Sequence, residues 1–316
     1  MNRSIVVLGS LNMDFAVRVQ RLPAPGETVL GGGFQMNPGG KGANQACAAG
    51  KLAGPDIVVR MAGRVGYDLF ADHLKASLAA AGVDVSFVHG VRSDPTGVAF
   101  IWVDVQGQNS IVVAPGANNA VRVSDIEGLR GAFRGAAFAL FQLETPLDAV
   151  CAALAMAHSE GAATILDPAP AQPLARDLLE SVDILTPNET EAHLLLGRQP
   201  SRIDIEEAPR VADALLALGP KAVILKLGDR GCFYRDSRRS IVSPAFECEP
   251  VDSTAAGDVF NGALAVALAE GFEIPAALRF ANAAAAISVT RAGAQASVPA
   301  RSEVDTFLAE RSATTA

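Results

Sequence analysis

Apolar runs rich in Val, Ile and Leu recur along the chain: IVVLGS (5–10), DIVVRMAG (56–63), AFALFQLE (137–144), ATILDPAP (163–170), DILTPNE (183–189) and AVILKLG (222–228). Between several of them the apolar positions take helical spacing, as in KGANQACAAGKLA (41–53), DLFADHLKASLAAAG (68–82) and PLDAVCAALAMAHSEG (146–161). A strand that is apolar throughout has no side to turn to water, so both faces of its sheet must be covered. Alternation with helices predicts parallel strands. The expected fold class is therefore α/β, a mostly parallel central sheet flanked by helices on both faces. Each run breaks at its end into Gly, Asn, Asp, Glu or Pro. In open α/β sheets the ligand crevice lies beyond the carboxyl ends of the strands, so these breaks are where chemistry is expected.

Two segments depart from this rhythm. FAVRVQRLPAPGETVLGGGFQMN (15–37) alternates apolar and polar residues around a Pro-Gly turn, and TGVAFIWVDVQGQNSIVVAP (96–115) reads as a hairpin through Gln-Gly-Gln-Asn. Together they predict a small β-sheet projecting as a lid from a single domain spanning 1–316, an insertion and not an independent unit. A few strands with apolar faces are marginal alone, so pairing with a second subunit is expected. Only the closing RSATTA is expected to fray.

Composition narrows the function. Half of the 316 residues are hydrophobic and 19% are charged, which suits a large core. The net charge is −8 and the basic residues are scattered, which argues against a nucleic-acid partner. An anionic ligand would have to be held by local groups. Four cysteines, Cys47, Cys151, Cys232 and Cys248, lie far apart without a CxxC pair, as expected of reduced thiols in a cytoplasmic protein. The apolar run after MNRS is too short for a signal peptide. No run approaches the roughly 18 residues of a membrane span.

VDSTAAGDVFNGAL (251–264) places Asp252 and Asp258 around very small residues before an apolar helix. Asp252, Ser253 or Thr254 could simply cap that helix. The same stretch could bind an anion, because a helix N-terminus offers unpaired N–H groups and partial positive charge. Asp258 then makes sense as a base taking a proton from a hydroxyl that attacks phosphorus. NPGGKGANQACAAG (37–50) resembles a P-loop only superficially, since Gly42 follows Lys41 and Gln35 occupies the first glycine position. Gly39, Gly40, Lys41 and Asn44 could instead close around a polar, uncharged ligand. In LGSLNMD, ending the first strand, Asn12 and Asp14 share one side of an extended chain and suit neighbouring sugar hydroxyls, although an Asx pair there is commonly only a turn. Glu144 ends another strand. Asn188 and Glu191 in TPNETEAHLLLG fit either a capped helix start or a Mg²⁺ site with few protein contacts. KLGDRGCF (226–233) is a hairpin turn or an adenosine-side loop. His73, His89, His158 and His193 fall outside these motifs, without triad or metal spacing, and are expected at the surface.

In this order, LGSLNMD, PAPGET, GGKGANQACAAG, TGVAF, LFQLETPL, LDPAPA, TPNETEA, STAAGDVFNGAL and ANAAAAISVTRAGAQASVP closely resemble the ribokinase/PfkB family of carbohydrate kinases over nearly the whole chain. The resemblance implies ATP-dependent phosphorylation of D-ribose at its 5-hydroxyl. It places sugar contacts at Asn12, Met13, Asp14, Gly40, Lys41, Gly42, Ala43, Asn44, Glu144 and Asp258. It makes Asp258 the base, with an anion hole at Ala255, Ala256 and Gly257. ATP-side positions match Asn188, Lys226, Leu227, Gly228, Asp229, Arg230, Gly231, Gly257 and Asn282. Glu191 is similar to the residue that helps organise Mg²⁺. Asp252, Thr254, Ser288, Arg291, Gly293 and Ser297 match a K⁺ site built mostly of main-chain oxygens. A homodimer joined through the lids is implied as well. Lys226 stands where ribokinases commonly carry a smaller hydroxyl residue, and Asn282 where some carry His. Related kinases of deoxyribose, fructose or nucleosides share the pattern, and a non-catalytic sugar binder of the same fold is the remaining alternative.

Overall fold

In the computed structural model, which describes residues 3–106 and 108–313, the strands are β1 (Arg3–Leu8), β2 (Asn12–Arg18), β3 (Gly32–Gly39), β4 (Ile57–Val65), β5 (Val83–Gly90), β6 (Gly97–Val103), β7 (Asn109–Ala114), β8 (Ala136–Phe141), β9 (Ala163–Leu166), β10 (Ile184–Leu185), β11 (Ala222–Lys226), β12 (Cys232–Asp236) and β13 (Ser240–Ser243). Nine form one sheet in the order β13-β12-β11-β10-β9-β8-β1-β4-β5. From β11 to β5 all neighbours are parallel, and the β11-β12-β13 edge is antiparallel.

β1 shows why the apolar runs are continuous. Ile5 and Val7 enter a core on one face, while Val6 and Leu8 enter a second core on the other, and all four are fully buried. The first core is closed by the helices Lys41–Leu52, Leu69–Ala80, Ala256–Ala269 and Ile274–Ser288; the second includes Leu147–Ser159 and Ala208–Leu216. All three expected helices and all six expected strands form. β5, β12 and β13 add to them. β5 lies at an edge and carries Asp84, Ser86 and His89 among its apolar residues, so it has no continuous apolar signature.

The smaller sheet, in the order β3-β2-β6-β7, confirms the two irregular segments as strands. β2 pairs antiparallel with β3 and parallel with β6, which forms the expected hairpin with β7. Gly107 of that turn lies outside the described residues. One boundary differs from expectation. β1 stops at Leu8, so Asn12 and Asp14 open a strand of the smaller sheet instead of ending β1. Gly9 sits at this break, where a Cβ would meet Gln142 and the backbone of Gly42. The C-terminal helix Arg301–Ala313 continues through the first half of the stretch expected to fray, and 314–316 lie outside the described residues. Among the described residues no helix is long and apolar enough to cross a membrane.

Candidate active site

The groups expected to do chemistry meet where the parallel strands end. Glycine brings the first of them together. Gly40, with φ 90°, begins the Lys41–Leu52 helix, and a Cβ on it would lie 2.7 Å from the backbone nitrogen of Asn12. That conformation and that contact both require glycine. Gly42 sits equally close to the backbone of Gly9 and Ser10. The helix start is thereby pressed against the crossover from β1 to β2. The Ala43 amide donates to Ser10 O at 2.9 Å, and the Lys41 amide to Glu144 Oε2 at 3.2 Å. Ser10 Oγ donates to the same Glu144 oxygen at 2.5 Å.

Asn12 and Asp14 do share a face. Asn118 Nδ2 donates to Asn12 Oδ1 at 2.7 Å, and Asp14 lies over Gly39, leaving no room there for a side chain. Burial, then the charges of Glu144 and Asp258, raise Asp14 to about 7. Met13, between them, points the other way into the core, and Ala43 and Leu227 are also fully buried. No side chain of these three is open to a ligand.

Asp258 occupies the first turn of the Ala256–Ala269 helix and is 5% exposed. Asn44 Nδ2 donates to its Oδ2 and Gln45 Nε2 to its Oδ1, each at 3.1 Å. Burial raises its pKa to about 6 against the pull of Lys41. The helix is entered through Ala255 at φ 60°, ψ 9°, a left-handed conformation unusual for a residue with a side chain. Ala256 N donates to Ser253 O, and the first i to i−4 bond is from Val259 N to Ala255 O. The amides of Gly257 and Asp258 thus stand at the open helix end, where partial positive charge collects.

On the far side, Asn188 and Glu191 form a capping box. Glu191 N donates to Asn188 Oδ1, and Asn188 N and Nδ2 donate to the Glu191 carboxylate, at 2.8–2.9 Å. The capping reading is therefore realised, yet burial also pushes the Glu191 pKa up while Lys226 pulls it down. Lys226 ends β11 and donates to Asp167 Oδ1 at 3.0 Å. A Cβ on Gly257 would lie 3.2 Å from its Nζ, so the ammonium rests against the helix end that carries Asp258. Gly228–Arg230 form a short 3₁₀ turn closed by Leu227 N to Gly231 O. Arg230 is tied to Glu189, while Asp229 is exposed. Asn282 is buried and its NH₂ donates to Ser243 and Pro244. It anchors the end of β13, so that donor group is not free for a nucleotide.

Lys41 joins the two sides. Burial alone would lower its pKa, but Asp258, Asp167, Glu144 and Glu191 together drive it upward. The expected cation loops also adjoin: the Asp252 carboxylate accepts from Thr254 N and Gly293 N, and Asp252 N donates to Val289 O. Burial opposes that carboxylate's charge, and these hydrogen bonds nevertheless hold its pKa low. Arg291 turns its side chain to Glu303, and Ser288 and Ser297 turn theirs to Ala285 O and Ala294 O. Main-chain oxygens are what these positions could offer an ion.

Sequence reasoning passed over Ser10, Gln45, Asn118, Gln142 and Asp167. Asp167 follows β9 directly, so the rule of strand ends could have found it. Nothing local marks the others. His193 corrects the expectation of four surface histidines: it is buried, with Nε2 3.1 Å from Ser201 Oγ, a partner brought back by the turn after its helix.

Known proteins resemble this chain over nearly its whole length. The ribokinase of Haemophilus influenzae is 39% identical over 308 residues, 98% of this chain and 99% of the relative. The ribokinase of Bacillus subtilis is 41% identical over 306 residues, 97% of this chain and 99% of the relative. The structure of Arabidopsis thaliana ribokinase complexed with ribose and ATP superposes with TM-score 0.88 at 35% identity, covering 98% of this chain and 99% of that one. The family model described as pfkB family carbohydrate kinase matches residues 2–301. With the ribokinase-like fold and a near-complete match on both sides, the chain belongs to the pfkB family of carbohydrate kinases.

Proposed function

We propose that this chain uses ATP to phosphorylate D-ribose at the 5-hydroxyl. The observation that carries the reading is the placement of Asp258, a buried carboxylate held by two amide side chains beside the open end of its own helix. A base near pKa 6 is ionised at neutral pH yet still able to take a proton. Asp258 removes the proton of the 5-hydroxyl as that oxygen attacks the γ-phosphorus in line, and ADP leaves. The open amide of Gly257, beside Ala255 and Ala256 at the helix start, receives the negative charge spread over the transferring oxygens, the Ala256 amide being already given to Ser253 O. Asn12, Asp14, the Gly40–Asn44 backbone and side chains, and Glu144 hold the other hydroxyls. Asn188 and the 226–231 turn line the nucleotide side, with Asn282 acting behind β13.

The oxygen-rich donors fit the two cations this chemistry needs. Glu191, already fixed by Asn188, would help hold Mg²⁺ through water. The backbones of Asp252, Thr254, Ser288, Arg291, Gly293 and Ser297 would hold K⁺ beside the helix end. Bound there, these ions supply positive charge for the phosphate oxygens.

The smaller sheet serves as a lid of one domain, excluding water from the transfer. Its Phe34, Met36, Phe100, Ile111, Val112 and Val113 remain exposed, and Phe15 stacks between Phe34 and Phe100. That uncovered apolar surface supports pairing of two lids in a homodimer.

An ADP-release assay with ribose, deoxyribose, fructose and a nucleoside tests the assignment. Ribose should give the highest kcat/KM. Preference for a nucleoside overturns the sugar, and ribose binding without ADP release at saturating Mg-ATP overturns catalysis.

A further inference from the structure

Gln45 belongs neither to the sugar positions nor to the nucleotide positions, yet it lies between them, 1% exposed. Its Nε2 donates to Asp258 Oδ1 and to Asp167 Oδ2, both at 3.1 Å. Its Oε1 accepts from Gln142 Nε2 at 2.7 Å. The two carboxylates settle the orientation of the amide, since they accept and only the NH₂ group can donate to both, which leaves the carbonyl to face Gln142. Asp167 in turn holds Lys226 against Gly257. One amide therefore connects Asp258 with the cation at the helix end, and it supplies the protons that let two buried carboxylates face each other.

We propose that Gln45 is a positioning residue for phosphoryl transfer, fixing the rotation of the Asp258 carboxylate and keeping it in register with the Asp167–Lys226 pair. The proposal rests on Asp258 being the base. Both hydrogens of the Gln45 NH₂ are engaged by carboxylate oxygens, so the residue acts through its neighbours and does not touch substrate. The charged groups facing Asp258 are Lys41 on the adjoining helix, Asp167 beyond β9 and Asp14 on β2, with Lys226 and Glu191 facing Asp167. A hydrogen bond donated to a carboxylate favours its ionised form, so losing it makes the group take up its proton at higher pH.

The test is the pH profile of kcat/KM for ribose in the full chain, compared among wild type, Gln45→Met, the double variant Gln45→Met/Gln142→Met, and Asp258→Asn. The single change leaves Gln142 Nε2 buried without a partner. The double change removes that orphaned amide as well and leaves only the two carboxylates without the Gln45 donor, so with a thermal melt to confirm that it folds it is the deciding arm. The acid limb should move up by about one pH unit, a roughly tenfold loss below it, with the ribose KM on the alkaline plateau within about twofold of wild type. An unmoved limb in the folded double variant overturns the proposal, as does a raised ribose KM with an unmoved limb, which would put Gln45 in the sugar pocket. Wild-type turnover by Asp258→Asn overturns the base itself, and the role of Gln45 with it.

Discussion

Replacing Asp14 by asparagine exchanges a carboxylate for an amide of nearly the same shape, at a point where burial, Glu144 and Asp258 all resist negative charge. Asp14 sits at about 7 in the fold against an ordinary value of 3.8. Each unit corresponds to about 1.4 kcal/mol, so ionising Asp14 in place costs up to about 4 kcal/mol relative to the unfolded chain. Residual contact with water screens part of this, and about 2 kcal/mol is the figure carried forward. The sign follows from proton binding. Between about pH 4 and 7 the unfolded chain has released this proton while the folded chain keeps it, so stability falls as pH rises through that window. Asp14→Asn lacks this slope. In urea unfolding followed by circular dichroism, the two proteins should agree at about pH 3, below the unfolded value, and the variant should be more stable by about 2 kcal/mol at about pH 7.5. Parallel stability curves, or a wild type that gains on the variant with pH, would refute the reasoning. If Asp14 contacts the sugar as proposed, the same substitution should also raise the ribose KM, because an amide replaces a carboxyl group on β2.

Gly42→Ala would set a Cβ 2.7 Å from the backbone of Gly9 and Ser10, so it should destabilise by about 1–3 kcal/mol in a thermal melt and lower kcat by displacing Asn44 and Gln45; an unchanged melt and turnover would contradict this contact. Ala255→Gly relieves a left-handed alanine of about 1–2 kcal/mol of strain and returns about 0.5–1 kcal/mol in chain entropy. Its urea midpoint should therefore hold or rise slightly, whereas Ala255→Val should fall clearly below both. Asp252→Ala frees the amides of Thr254 and Gly293 and unties the two loops. The K⁺ concentration for half-activation should rise severalfold, and an identical K⁺ titration would remove these loops from the cation site.

Much of this protein is legible along the chain because burial on both sides leaves a mark in every residue of a strand. β1 is apolar at consecutive positions since Ile5 and Val6 enter different cores, and the same holds for Val223 and Ile224 of β11. β5 escaped notice for the converse reason, as an edge strand can carry polar residues. The helix start at Ala255–Asp258 was legible too, because a run of very small residues leads straight into an apolar stretch. By contrast, Gln45 reaches Gln142, Asp167 and Asp258 across 97, 122 and 213 residues of chain, and no periodicity encodes contacts so distant. His193 looked like a surface residue because its burial depends on a loop that folds back over it. Residue order determined the layered sheet, the glycines that let chain crossings touch, and the presence of a carboxylate at a helix start. Tertiary structure alone decided which groups share protons, because proton affinity is set by the charges and the water that folding brings near a side chain or takes away from it.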